Sequence, residues 1–77
     1  MDKLQAMRTF VRVVEAGSFS AVAKESNTTQ SAVSKQVAAL ERELEAKLLS
    51  RTTRSLALTE EGERYFEQAR RLFEDCQ

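Results

Sequence analysis

Residues 18–46 read SFSAVAKESNTTQSAVSKQVAALERELEA, and this stretch decides the fold. Ser18 is placed to cap a short helix, and the polar residues 26–29 that follow predict a turn. A longer helix is predicted from about Gln30 to Ala46, capped by Thr28 or Thr29. Its apolar residues recur at steps of three and four: Val33, Val37, Leu40 and Leu44. A short helix, a turn and a longer helix in this order predict a helix-turn-helix.

The opposite face of the longer helix has a different composition. At about 100° per residue, small and polar residues fall on it, with Ser34 at its border: Ser31, Lys35, Ala38 and Arg42. A face without bulky side chains can approach another molecule closely. We therefore expect this face to be left uncovered by the rest of the chain.

A first helix is predicted over residues 3–16, and Gly17 supplies its left-handed end. Asp2 and Gln5 resemble a capping box at its start. Its apolar residues again follow helical spacing: Leu4, Met7, Phe10, Val11 and Val14. Within residues 48–58, two short apolar segments flank a basic, hydroxyl-rich turn, which favours two strands of a hairpin.

Thr59 is placed to cap a last helix, which reaches the final residue without a stop signal, so we expect the chain to be cut there. The predicted architecture is mainly α, a winged helix-turn-helix with three helices, a short β-hairpin wing and a C-terminal linker helix. Two parts are predicted: residues 1–58 as the winged helix-turn-helix domain, and residues 59–77 as a truncated last helix.

Composition limits the function classes. The chain has 77 residues, no histidine and one cysteine, Cys76, so we expect no internal disulfide, no metal site, no cofactor and no enzymatic activity. Without an apolar run long enough for a bilayer, a soluble cytoplasmic protein is expected. The net charge is zero, but residues 1–54 hold 9 basic against 6 acidic side chains, whereas residues 55–77 hold 3 against 6. The basic surplus therefore lies in the predicted helix-turn-helix.

Several segments together resemble the LysR-type bacterial transcriptional regulators, over essentially the whole chain. They are residues 17–19 (GSF), 21–24 (AVAK), 29–36 (TQSAVSKQ), 40–44 (LEREL), 48–54 (LLSRTTR) and 58–62 (LTEEG). The resemblance implies double-stranded DNA as partner, read as an interrupted palindrome by a homodimer, and a small-molecule effector bound by a ligand-sensing domain absent from this chain. Ala46 replaces a family glycine, so we expect the helix to continue past it. Ser26 and Thr28 replace apolar turn residues, and we expect both to cap or face water.

With this resemblance, the longer helix is the recognition helix in the major groove. The expected base contacts are Gln30, Ser31, Ala32, Ser34 and Lys35. The expected phosphate contacts are Ser18, Thr29, Gln36 and Arg51. Arg54, at the tip of the wing, is expected in the minor groove. For Arg51 an alternative stays open, in which it pairs with Glu41 or Glu45 and supports the wing.

The resemblance implies that residues 59–77 form a linker helix that serves dimerisation. This helix carries an apolar stripe, which is predicted to form the dimer contact: Tyr65, Phe66, Ala69, Leu72, Phe73 and Cys76. Part of this stripe could pack on the first helix instead, and part could pair with a second copy. An alternative function is a small helical protein-interaction module that pairs through this helix. The zero net charge and the apolar stripe favour that alternative, whereas the basic wing turn favours DNA.

Overall fold

The computed structural model describes residues 3–51 and 56–75. Its helices are α1 (Lys3–Ala16), α2 (Phe19–Glu25), α3 (Gln30–Leu44) and α4 (Glu60–Asp75). The strands β1 (Leu49–Arg51) and β2 (Leu56–Leu58) pair antiparallel, with Leu49 opposite Leu58 and Arg51 opposite Leu56. This confirms the predicted winged helix-turn-helix. No helix in the described ranges is both long and apolar enough to cross a membrane.

Local signals place the first three helices as predicted. Gly17 ends α1 with a left-handed φ of 72°, and its N–H donates to the carbonyl of Val13 at 2.8 Å. Ser18 then caps α2, since its hydroxyl oxygen accepts from the Ala21 N–H at 3.3 Å. Thr29 caps α3 by accepting from the Ala32 N–H at 3.1 Å. Asp2, the first half of the expected capping box, lies outside the described residues.

The turn between α2 and α3 exposes its polar side chains. Asn27 has a φ of 55°, a left-handed conformation that asparagine tolerates better than most residues. Ser26 and Thr28 are both exposed, as predicted, so neither hydroxyl is buried without a partner. The turn is held to α2 because the Thr28 N–H donates to the carbonyl of Ala23 at 2.9 Å.

The core lies where α1 crosses α3 and α4. Phe10 of α1 is its central side chain and is fully buried, as are Val37 and Leu40 of α3. The remaining core side chains come from every element except β2: Ala6, Val11, Val13, Val22, Ala23, Val33, Leu48, Leu49 and Ala69. Because the apolar stripe of α3 is buried in this core, the opposite face of α3 is directed away from the core.

The end of α3 differs from the prediction. The expected continuation past Ala46 is wrong, because the helix ends at Leu44 and Glu45 adopts the left-handed conformation, with φ 55°. The Glu45 N–H donates to the Arg42 carbonyl at 3.2 Å, and the Ala46 N–H donates to the Glu41 carbonyl at 3.1 Å. These two bonds form a Schellman motif, which satisfies helix carbonyls that would otherwise lack partners. The left-handed residue is therefore Glu45 and not Ala46.

The start of α4 is docked on the start of the hairpin. Thr59 caps α4 as predicted, accepting from the Gly62 N–H at 3.0 Å, and its own N–H donates to the Leu48 carbonyl at 3.0 Å. Its hydroxyl also donates to the carbonyl of Lys47. A Cβ at Gly62 would lie 2.0 Å from the carbonyl oxygen of Leu48, so only glycine permits this approach.

Candidate nucleic-acid interface

The face of α3 opposite its core stripe is open to solvent. Ser31, Lys35 and Arg42 are exposed, and Ala38 between them is half-buried. Neither Lys35 nor Arg42 forms an ion pair with any residue that the structure describes. Two cations on a face with small side chains can therefore attract an external anion.

The N-terminal turn of α3 presents hydrogen-bond donors. Thr29 caps one backbone amide, and the other N–H groups of the first turn carry the positive end of the helix dipole. Gln30 is exposed, and its side-chain oxygen accepts from the Ser20 hydroxyl at 3.1 Å, so its amide N–H groups remain donors. Ala32 and Ser34 are half-buried beside it. Ser20 was not identified from the sequence, because its partner lies ten positions away across the turn.

The predicted phosphate-contacting residues are already engaged within the protein, in a way that leaves donors available. Gln36 is half-buried, and its side-chain oxygen accepts from the Thr9 hydroxyl at 2.6 Å, so its amide nitrogen remains a donor. Ser18 and Thr29 use their oxygens as helix caps, while each hydroxyl proton stays free to be donated. Capping and an anion contact are therefore compatible at both positions.

A groove runs between α3 and the hairpin. It contains Ser34 and Ala38 of α3, together with Lys47 and Ser50 from the hairpin side. Lys47 and Ser50 are exposed, and their cation and hydroxyl lie beside a predicted base-contacting residue. Sequence reasoning did not single out either residue, since no periodic pattern connects the hairpin with α3.

Glu41 of α3 is hydrogen-bonded to the start of the hairpin. Its carboxylate oxygen accepts from the backbone N–H groups of Leu48 at 2.8 Å and Leu49 at 3.1 Å. For Arg51, the structure gives only the backbone pairing with Leu56, and its side chain lies outside the description. Arg54 lies outside the described residues altogether. Both arginine assignments therefore stay predictions.

The predicted dimerisation stripe of α4 is mostly used within the chain. Tyr65 and Phe66 pack on Phe10, and their ring centroids lie 5.8 Å and 6.4 Å, respectively, from the centroid of the Phe10 ring. Ala69 is 1% exposed in the core, and Phe73 lies under the guanidinium of Arg8 at 5.1 Å. Leu72, 44% exposed, is the member of the stripe that faces solvent, and Cys76 lies outside the described residues. Among the described members of the stripe, Leu72 is thus left to contact a second copy or another helix.

The ion pairs found among residues 3–50 and 56–74 lie in α1, α2 and α4. Arg12 of α1 donates to both oxygens of Glu25 at 2.7 Å and 2.8 Å, joining α1 to the end of α2, and it also binds Glu15 at 2.7 Å. This hydrogen bonding with Glu25 raises the pKa of Arg12 and lowers that of Glu25. In α4, Arg70 binds Glu67 at 2.8 Å and in the same way lowers the pKa of that carboxyl.

Tyr65 is the described residue whose side-chain polar atom is buried without a hydrogen-bond partner. Burial, and then the nearby charge of Glu43, raise the pKa of its hydroxyl. Its ring packs against Phe10 in the core, with the two ring planes tilted by 48°. Among the described residues, no cluster of acidic or sulfur-bearing side chains is arranged to hold a metal ion.

Known proteins are similar to this chain in sequence and in fold. The model of the bacterial regulatory helix-turn-helix proteins of the lysR family matches residues 4–63. The HTH-type transcriptional activator AaeR of Escherichia coli is 44% identical over 77 residues, which is 100% of this chain and 25% of AaeR. The HTH-type transcriptional regulator CrgA of Neisseria meningitidis serogroup B is 48% identical over 71 residues, covering 92% of this chain and 24% of CrgA. The chain thus spans about a quarter of the length of these relatives.

Solved structures give the same result. The complex of the BenM DNA-binding domain with catB site 1 DNA superposes with a TM-score of 0.89 at 36% identity, covering 99% of this chain and 83% of that one. The complex of the CbnR DNA-binding domain with DNA superposes with a TM-score of 0.87 at 36% identity, covering 99% and 86%. Since the family model covers most of the chain and the fold agrees throughout, this chain belongs to the LysR family of bacterial regulatory helix-turn-helix proteins.

Proposed function

We propose that this chain binds double-stranded DNA in a sequence-specific manner, as the DNA-binding module of a bacterial transcriptional regulator acting in the cytoplasm. The observation that carries the proposal is the open face of α3, where Lys35 and Arg42 are exposed and lack an ion-pair partner among the described residues. Family membership supports it, as do the similar solved structures of the BenM and CbnR DNA-binding domains in complex with DNA.

The recognition helix in this proposal is α3, and its first two turns enter the major groove. An α-helix fits there, and side chains near its N-terminus reach the base edges. Lys35 suits guanine, the amide donors of Gln30 suit acceptor atoms, and the methyl of Ala32 suits thymine. Ser31 and Ser34 complete the proposed base contacts, since hydroxyl groups donate to or accept from either base pair.

The backbone contacts set the position of α3 on the duplex. The hydroxyls of Ser18 and Thr29 and the free amide of Gln36 supply donors to phosphate oxygens, which carry no sequence information. Arg51 is proposed to contact phosphate from the hairpin. Arg54 is proposed to enter the minor groove, where A·T-rich sequences concentrate negative potential.

The binding unit is proposed to be a homodimer formed through α4 on an interrupted palindrome. A two-fold pair of recognition helices requires two half-sites related by the same axis. Leu72 provides the exposed apolar contact in the described part of α4. An effector molecule would act through residues of the intact regulator that this chain does not contain.

The first experiment measures binding to a mixed pool of duplex DNA at two salt concentrations. A protein that contacts several phosphates loses affinity steeply as salt rises, with a slope in log K against log salt of about −0.9 for each phosphate neutralised. Arg54→Ala should weaken binding chiefly to duplexes with A·T-rich flanks. Affinity that is insensitive to salt would contradict DNA binding by this face.

The dimer is tested by sedimentation of the chain alone, on a half-site and on a full palindrome selected from a random pool. One copy on the half-site and two on the palindrome are expected, with tighter association on DNA than in solution. Leu72→Ala should weaken the binding of the second copy, while Arg71→Ala, one position away and exposed, should not. A single copy on a full palindrome would contradict the proposed dimer.

A further inference from the structure

One side chain of α3 holds the hairpin in place. Glu41 accepts hydrogen bonds from two consecutive backbone amides, those of Leu48 at 2.8 Å and Leu49 at 3.1 Å. Both bonds go to the same carboxylate oxygen, and Glu41 is half-buried. Hydrogen bonds from a backbone N–H to an ionised carboxylate are shorter and stronger than neutral ones. This contact therefore joins the recognition helix directly to the first residues of the hairpin.

The hairpin has little capacity to hold its own orientation. Each of its strands has three residues, and an isolated two-stranded sheet is only marginally stable in water. On the other side of the same peptide segment, the carbonyl of Leu48 accepts from the Thr59 N–H at 3.0 Å. The N–H groups of this segment are thus fixed by α3 and a carbonyl by the start of α4.

Glu41 is not needed to fill the core. The Leu48 side chain, 1% exposed, and the Leu49 side chain, 6% exposed, are buried in the hydrophobic core, to which Glu41 does not belong. Their burial sets the depth of the segment, and the bond from the Thr59 N–H fixes its carbonyl side to the start of α4. The two amide bonds to Glu41 fix its N–H side to α3, so they link the direction in which the hairpin projects to this helix.

We propose that Glu41 is a positioning residue that sets the distance along the duplex between the bases read by α3 and the site contacted by the hairpin. The proposal rests on the proposed DNA binding and adds to it a source of specificity that touches no base. With Glu41 in place, α3 and the hairpin act as one rigid unit, which accepts a single distance between the bases read by α3 and the site contacted by the hairpin. Without Glu41, the hairpin can reorient and accept neighbouring spacings.

The test uses the 77-residue chain and a duplex selected by it from a random pool. In a panel of duplexes, the flank contacted by the hairpin is displaced by one or two base pairs from the bases read by α3. The wild-type chain should lose at least about fivefold in affinity on displacement, the loss typical of one mismatched position. Glu41→Ala should bind all spacings within about twofold, well below the loss from one mismatched position. Glu41→Gln, whose amide oxygen still accepts, should be intermediate.

Glu43→Gln is the matched control, because Glu43 is an exposed carboxylate on the same helix and contacts neither amide. Removing its charge should raise affinity for every duplex equally and leave the spacing preference unchanged. Hydrogen exchange gives a readout without DNA: the amides of Leu48 and Leu49 should exchange faster in Glu41→Ala, while the amide of Val37 in the core should not.

The outcomes separate the two proposals. If the wild-type chain binds no duplex, DNA binding is contradicted and this inference fails with it. If the wild-type chain binds DNA but accepts all spacings equally, the inference alone is overturned. It is also overturned if Glu41→Ala, or Glu41→Gln should the alanine variant fail to fold, keeps the full spacing preference of the wild type.

Discussion

The two longest helices, α3 and α4, have nearly the same length, 15 and 16 residues, but use their side chains in opposite ways. α3 buries a narrow aliphatic stripe, and its exposed cations have no ion-pair partner among the described residues. α4 instead packs aromatic side chains on α1, and two of its arginines are paired within the helix. Arg70 binds Glu67 and Glu74, and Arg71 binds Glu67 at 3.4 Å.

This difference explains how a chain of zero net charge can present a surface for an anion. An arginine paired with a glutamate three or four residues away contributes little to the field outside the protein. Lys35 and Arg42 have no such partner, so their charges act outward. The location of unpaired cations, and not the sum of all charges, thus distinguishes the proposed DNA-binding helix from the proposed dimerisation helix.

The largest expected effect is on the free energy of unfolding, and it compares a buried leucine of α3 with an exposed leucine of α4. Leu40→Ala, at a position with no exposure, should lower the free energy of unfolding by about 2–5 kcal/mol, because it leaves a cavity in the core. Leu72→Ala, at a position 44% exposed, should change it by less than about 0.5 kcal/mol. Urea unfolding of both variants measures this, and equal losses would contradict the described packing.

A second effect tests the unpaired against the paired cations. Lys35→Ala should weaken duplex binding by about 1 kcal/mol or more, and should either reduce the salt slope by about 0.9 or relax selectivity at one base. Arg71→Ala removes the same charge from a side chain that is 72% exposed and paired with Glu67, and should leave duplex affinity nearly unchanged. Fluorescence anisotropy at several salt concentrations compares them. Equal losses of duplex affinity in the two variants would show that DNA binding depends on overall charge and not on α3.

A smaller effect concerns the end of α3. Glu45 adopts a left-handed conformation that costs a residue with a Cβ about 1 kcal/mol or more, whereas glycine adopts it freely. Glu45→Gly should therefore raise the free energy of unfolding by about 0.5–1 kcal/mol after the greater flexibility of unfolded glycine is included. Thermal denaturation measures this change, with Ala46→Gly as the control. Greater stabilisation by Ala46→Gly would show that the helix ends one residue later.

The smallest expected effect is a dependence on pH from the ion pairs of α1 and α4. Arg12 lowers the pKa of Glu25, and Arg70 lowers that of Glu67, below the usual value of 4.5. A lowered pKa in the folded state contributes stability that is present above the unfolded pKa and is lost as the pH falls through the folded one. Acid should therefore reduce stability slightly less in Arg12→Ala than in the wild type, whereas Lys35→Ala should follow the wild type. Unfolding curves between pH 7 and pH 3 compare these variants.

Local signals in the sequence predicted most of the fold, because each acts over a few residues. The caps at Ser18, Thr29 and Thr59 and the left-handed Gly17 are all found as predicted. The open face of α3 also follows from periodicity alone, since residues opposite a buried stripe must be exposed. The end of α3 was predicted wrongly because the residue type does not decide which position becomes left-handed. At Glu45 this conformation goes with two hydrogen bonds, from the N–H groups of Glu45 and Ala46 to carbonyls of the last turn of α3.

The sequence by itself determined where the helices begin, which side of α3 is buried, and which family motifs the chain carries. These properties depend on neighbouring residues and on a repeat of 3.6 residues per turn, which can be read along the chain. Only the tertiary structure decided that Glu41 holds the hairpin, that Ser20 and Thr9 orient two glutamines of α3, and that most of the apolar stripe of α4 covers α1. Such contacts join residues distant in the chain, and their partners are set by the packing of whole elements.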